Sequence, residues 1–155
     1  MTGTEGHFRV IRREEGEPID FRGAKLWRKV TREDTGERWA FGESINEPGF
    51  HNTPHTHTEP EGFYVLEGEY TFYTEGEPRK VGPDSFVFIP PDTRHGFIAG
   101  PEGGRLLCLW PAAFDGYFWA MRDAFQQHGE DPEVLAEVAR RHGMKSLPVP
   151  SGAEQ

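Results

Sequence analysis

Between residues 21 and 112 short apolar runs alternate with clusters of Gly, Pro and Asp. Such runs predict strands, because a half-buried strand repeats every two residues and its ends need turn formers. Residues 25–31 read as one strand and 38–45 as the next, with Trp39, Phe41 and Glu43 on one face. Asp34-Thr35-Gly36 supplies the turn between them. Two runs, 62–66 and 70–74, flank Glu67-Gly68-Glu69, so 61–74 reads as a hairpin. Ser85–Ile89 is unbroken and apolar, which predicts a strand buried on both faces. Pro90-Pro91 forces a bend, and 94–99 and 105–110 are read as two further strands. Turns at about every 8–12 residues point to a β sandwich or barrel.

The two ends of the chain break this pattern. Residues 1–20 are charged and unpatterned and are expected to form an arm, with one strand at 8–11. Beyond residue 112 the period changes to helical. Asp115 is placed to cap a helix carrying Tyr117, Phe118, Met121 and Phe125 on one stripe, with Gly129 past its end. Asp131-Pro132-Glu133 opens a second helix with the stripe Val134, Leu135 and Val138, closed by Gly143. The expected organisation is an arm at 1–20, a barrel at 21–112, helices at 113–147 packing on the barrel or on a dimer partner, and a disordered tail at 148–155. No internal repeat divides the barrel in two.

Composition narrows the partners. A net charge of −9, with no Lys/Arg cluster longer than two residues, argues against nucleic acid and anionic membranes. No apolar run approaches membrane-spanning length, and residues 1–13 carry no apolar core of a secretory leader. Cys108 stands alone, so no internal disulfide is expected and a reducing cytoplasm fits.

The chemistry gathers around residues 49–61. His55 and His57 are two apart, so on an extended strand both imidazoles point to one spot. Glu61 follows past a kink at Pro60, and His95 arrives on a later apolar run. Three nitrogens and one oxygen make a first shell for a divalent transition metal. Glu59 competes with Glu61 for the carboxylate position, since it shares the parity of the two histidines on a straight strand. His51 is close enough to support the ligands from behind. Phe63, Phe72, Phe88, Phe97 and Trp39 are candidates for a substrate pocket, although a small barrel also needs large side chains simply to fill it.

Gly49, His55, His57, Glu61 and Gly68 fit the pattern G-x5-H-x-H-x3-E-x6-G at every spacing, and this stretch resembles the first motif of the cupin superfamily. The second motif, G-x5-P-x-G-x2-H-x3-N, is matched at Pro90 and His95, while Asp84 and Asp92 replace its glycines and Ala99 its asparagine. Asp enters left-handed conformations more readily than most residues, so those turns are expected to survive. The run Glu-Gly-Phe-Tyr-Val-Leu-Glu-Gly-Glu at 61–69 is similar to small single-domain cupins related to quercetin 2,3-dioxygenase. The resemblance implies a mainly β double-stranded β-helix, the jelly-roll barrel, with a short C-terminal helical tail. It also implies one divalent metal (Fe, Mn, Ni, Co or Zn) on His55, His57, Glu61 and His95. A dioxygenase of a small enolic or aromatic substrate follows, with Glu61 as base. The alternatives are a non-oxidative isomerase, cyclase or hydrolase, or a barrel that only binds a small molecule. Such proteins commonly pair, and the aromatic excess here adds to the expectation of a homodimer.

Overall fold

The computed structural model describes residues 7–146. The expected tail at 148–155 and the first residues of the arm lie outside the described residues. Among the described residues nine strands form: β1 (Glu17–Phe21), β2 (Ala24–Val30), β3 (Trp39–Asn46), β4 (His55–Thr56), β5 (Glu61–Tyr73), β6 (Arg79–Val81), β7 (Ser85–Ile89), β8 (Gly96–Pro111) and β9 (Lys145–Ser146). Two helices, α1 (Tyr117–His128) and α2 (Pro132–Arg141), precede β9. The main sheet runs β1-β2-β3-β8-β5-β6, with β7 also paired to β5, and β4 pairs with β9. All pairings are antiparallel, and the sheet rolls into a jelly-roll barrel with a helical tail. The sheet begins at Glu17, inside the stretch expected to be a loose arm, and no strand forms at 8–11.

Two expected turns are bulges within long strands. The stretch 61–74 is not a hairpin: β5 runs straight through Gly68 and pairs along its length with β8. The register shifts between Val65 and Tyr70, and the buried face shifts with it, from Phe63 and Val65 to Tyr70 and Phe72. A bulge adds one residue to one strand and so moves the inward set by one. Gly68 sits at φ +81°, and a side chain there would collide with the Gly103 carbonyl. In the same way 94–99 and 105–110 join into β8, whose inward residues change from Phe97 and Ala99 to Leu106, Cys108 and Trp110. The glycines read as turn formers mark these bulges instead.

β7 departs from expectation in its burial. Phe86 and Phe88 are each 60% exposed, because β7 pairs only with β5 and turns these rings to the outer face. Asp84 and Asp92, which flank β7 where the motif has glycine, do adopt left-handed backbone, at φ 63° and 58°. The Asp92 amide donates to the His57 carbonyl at 2.9 Å, so this turn grips the strand region of a candidate ligand.

Inside the barrel Phe63, Tyr70, Phe72 and Phe97 form one aromatic cluster with several ring centroids 5.5–5.7 Å apart. On the outer face Lys29, Glu43 and Arg105 form a buried ion-pair chain. Lys29 Nζ also donates to the carbonyls of Arg12 and Glu15, at 2.6 and 3.0 Å, which ties the N-terminal segment down over β2 and β3. Asp115 does not cap α1. Gly116 holds that position, and the Asp115 carboxylate instead accepts from the Arg32 amide at 2.9 Å and from Arg28 Nη1 at 3.1 Å. Asp131 does cap α2, accepting from the amides of Glu133 and Val134.

Candidate metal centre

His55 lies on β4, His57 just beyond it, Glu61 opens β5, and His95 precedes β8. A two-way backbone bridge between His55 and His95, each N···O 3.0 Å, holds the two segments side by side. The four side chains meet with ligating atoms all within 4.8 Å of one another. They are 3%, 7%, 5% and 1% exposed respectively, so a carboxylate and three imidazoles are withdrawn from water together. Burial on that scale needs internal compensation.

The compensation has a defined geometry. Each histidine donates from Nδ1 to a backbone carbonyl: His55 to Thr53 at 2.8 Å, His57 to Glu59 at 2.6 Å and His95 to Thr93 at 2.8 Å. This fixes the tautomer and turns every Nε2 inward, as outer hydrogen bonds do for metal-bound histidines. Glu61 Oε2 then lies 3.0 Å from His57 Nε2 and 2.9 Å from His95 Nε2. With Nδ1 already carrying a proton, such contacts require a further proton or a cation between nitrogen and oxygen. The donor set therefore fits a divalent transition metal. His55, His57, Glu61 and His95 would hold it.

Electrostatics agree with that reading. Burial pushes the Glu61 carboxyl up, but hydrogen bonds from His57 and His95 and the imidazole charges outweigh it and hold its pKa at about 2. Burial, with the His95 charge, lowers His55 to about 4, so it is neutral at pH 7. His57 also suffers from burial, yet its hydrogen bond to Glu61 and that carboxylate's charge leave its pKa raised. Glu59 is not in the cluster. It contributes its backbone carbonyl to His57, while its carboxylate Oε2 is buried without a hydrogen-bond partner among the described residues.

The remaining expected site residues are scattered. His51 is exposed on the rim of a neighbouring cleft. Phe63, Phe72 and Phe97 are packed on one another in the core, and Phe88 and Trp39 (40% exposed) lie on the outer face. None of these five lines the cleft. That cleft, about 400 Å³, is lined by His55 and by residues such as Phe21, Phe50, Phe118, Met121 and Phe125. Sequence reasoning missed its role. The stripe of Tyr117, Phe118, Met121 and Phe125 was visible, but helical period alone reads it as a packing face.

Residues 43–110 match the family model of the cupin domain. Over 58 residues the chain is 41% identical to dimethylsulfoniopropionate lyase DddW of Ruegeria pomeroyi, covering 37% of this chain and 38% of that protein. Over 73 residues it is 30% identical to quercetin 2,3-dioxygenase of Bacillus subtilis, covering 46% of this chain and 21% of that protein. The chain thus spans well under half the length of either curated relative. Among solved structures, the polyketide cyclase RemF from Streptomyces resistomycificus superposes with a TM-score of 0.60 at 25% identity, over 68% of this chain and 80% of that one.

Proposed function

From the premise that this chain carries a cupin domain over residues 43–110, we propose that it is a metal-dependent enzyme acting on a small enolic or aromatic molecule, in the manner of a quercetinase-like dioxygenase. The observation that carries this reading is the buried cluster of three imidazoles and one carboxylate whose Nε2 atoms are all freed for ligation. A divalent ion held there would act as a Lewis acid toward substrate oxygens and offer dioxygen a place to react. Glu61 is the candidate base. In the metal-free site hydrogen bonds from His57 and His95 hold its carboxyl well below the ordinary range, so it stands ionised and able to accept a proton. His55 stays neutral and is the ligand that borders the cleft.

A non-oxidative reading has its own support: the polyketide cyclase superposes over 68% of this chain with a TM-score of 0.60 at 25% identity. There the same proton transfer by Glu61 leads to ring closure, isomerisation or hydrolysis without dioxygen. The deciding experiment is a panel of enolic aromatics assayed with and without air, with dioxygen uptake recorded. Product should track dioxygen and vanish under anaerobic conditions. Undiminished anaerobic product overturns the dioxygenase and leaves the cyclase-like enzyme. No turnover at all, with ligand affinity still dependent on metal, reduces the barrel to a binder. Glu61→Gln should keep the fold and lower turnover by roughly 10²–10⁴.

The outer sheet face supports a homodimer. Phe88, Gly62, Leu109 and Phe41 lie in register across four strands, and Phe86, Tyr64 and Leu107 across three, with Glu43 at the fourth position. This patch is apolar on a chain of net charge −9, which favours a second copy meeting it face to face over a charged partner. Among the described residues no helix is long and apolar enough to cross a membrane. The single buried Cys108 fits a reducing compartment, and we place the protein in the cytoplasm.

A further inference from the structure

The cleft beside the metal centre is not built by the barrel strands alone. One wall is α1 together with Phe21 at the end of β1, and the other is the loop 47–53. The loop is fixed to β8: the Ala99 amide donates to the Phe50 carbonyl at 2.8 Å, and the Phe97 amide donates to Asn52 Oδ1 at 2.7 Å. The helix wall is fixed by its rings. Phe118 meets Phe21 at 5.8 Å and Phe114 at 5.4 Å, and Phe21 meets Phe125 at 5.9 Å. Two braced walls leave a space of about 400 Å³, within the range of roughly 300–1,000 Å³ usual for small-molecule sites.

The lining states what would fit. Aromatic rings and Met121 present flat apolar surface, which suits a flat apolar ring. The cation near them, Arg22, already covers Phe125 at 4.7 Å and pairs with Glu130 at 3.3 Å, so its charge is answered within the chain. Polar groups also line it: Glu47, His51, Asn52 and Thr53 on the loop, His55 on β4, and Tyr117 from α1. Asn52 Oδ1 is taken by the Phe97 amide and His55 Nδ1 by the Thr53 carbonyl, whereas the Tyr117 hydroxyl makes no hydrogen bond among the described residues. Burial raises that phenol to about 12, so it keeps its proton at neutral pH and can donate.

We propose that this cleft is the substrate site. Its ligand would be a flat aromatic molecule bearing an oxygen acceptor, with the ring between the Phe50 and Phe118 walls and that oxygen accepting from the Tyr117 hydroxyl. The assignment deepens the enzyme reading above and rests on it. Tyr117 is then a binding residue of this chain, supplied by a helix outside the matched cupin domain.

The test uses the metal-loaded full chain and 3-hydroxyflavone as a fluorescent probe. Met121→Arg, which fills the cleft, should weaken probe binding at least tenfold while metal content and circular dichroism stay as in the parent. Tyr117→Phe removes one hydroxyl and should weaken binding about three- to tenfold. Should Met121→Arg fail to fold, Tyr117→Phe still reads the site. Parent-like binding in a folded Met121→Arg protein, or in Tyr117→Phe, overturns the assignment. Failure of the enzyme reading looks different. Probe binding that is cleft-dependent, with no metal-dependent turnover of any substrate, keeps the cleft and removes the enzyme. Turnover that survives Met121→Arg undiminished keeps the enzyme and removes the cleft.

Discussion

The matched cupin region and the segments that flank it contribute different things. Residues 43–110 bring all four candidate ligands, each buried and placed by a two-residue spacing, a proline bend, two left-handed aspartates and the backbone bridge between His55 and His95. The flanks bring most of the cleft. Phe21 comes from β1, the helical wall from α1, and Met144 from the turn after α2. The difference teaches where chemistry and selectivity are stored. The candidate ligands are held by geometry within the matched region. The neighbouring cleft depends on the packing of an amphipathic tail, which also reaches the ligand strand through β9.

The comparison breaks most visibly if a lesion in the first region leaves the metal in place. His57→Ala removes one of four ligands and leaves Glu61 Oε2 with one imidazole partner fewer. Stoichiometric metal should fall to near zero by elemental analysis, after expression in media supplemented with each candidate ion. Full retention in that variant would exclude the assigned shell.

The next effect is the pH response of the metal-free protein. His55 has a folded pKa of about 4 against an ordinary value of 6.5. Between those values the unfolded chain takes up a proton that the folded chain refuses. Its contribution to stability is therefore complete above pH 6.5 and drains away as pH falls toward 4, by roughly 3 kcal/mol in all. His57 works in the opposite sense: its raised pKa favours the folded state as pH falls through its own titration. The net acid loss should shrink in His55→Gln, and thermal unfolding of metal-free protein from pH 8 to 4.5 measures it. An unchanged pH profile in that variant would deny His55 its buried, neutral state.

How much of this was legible in the sequence follows the same division. The ligand cluster was readable because His55 and His57 sit two apart and Glu61 and His95 fall at fixed distances from turn residues. The carboxylate choice was open, and direction favours Glu61, which enters β5 facing two of the imidazoles, while Glu59 gives the cluster its carbonyl. The barrel was readable as strands but not as long ones. Gly68 and the glycines near 103 have the composition of turns, and only pairing across the whole of β5 and β8 makes them bulges. Burial of Ser85–Ile89 was misjudged because an apolar run does not say whether its second face finds a partner. The cleft was the least legible part, since it is made by residues far apart in the chain.

A smaller effect concerns the outer face. If two copies meet there, Phe86 and Phe88 are central, well-exposed aromatics of the kind that dominate interfaces. Phe86→Lys should raise the dimer dissociation constant by about thirtyfold or more, with metal content unchanged. Light scattering at tens of micromolar gives the parent mass directly, and a monomer there would overturn the dimer.

The smallest expected effect tests how far the flank reaches toward the ligands. Asp131 caps α2 by accepting from two amides, and such a cap is worth about 1 kcal/mol. Helix α2 leads to Met144, which is buried, and then to β9, whose Lys145 and Ser146 pair with Thr56 and His55. The C-terminal strap therefore touches the backbone of a ligand strand. His55 is also bridged to His95 from its other side and anchored through Thr53, neither of which depends on the strap. Asp131→Ala should thus lower unfolding stability by about 1 kcal/mol and change metal affinity less than threefold. A chelator-competition titration reads the second quantity. A loss of tenfold or more would mean that the strap orients His55, and the boundary between ligand region and flank would have to move to include α2 and β9.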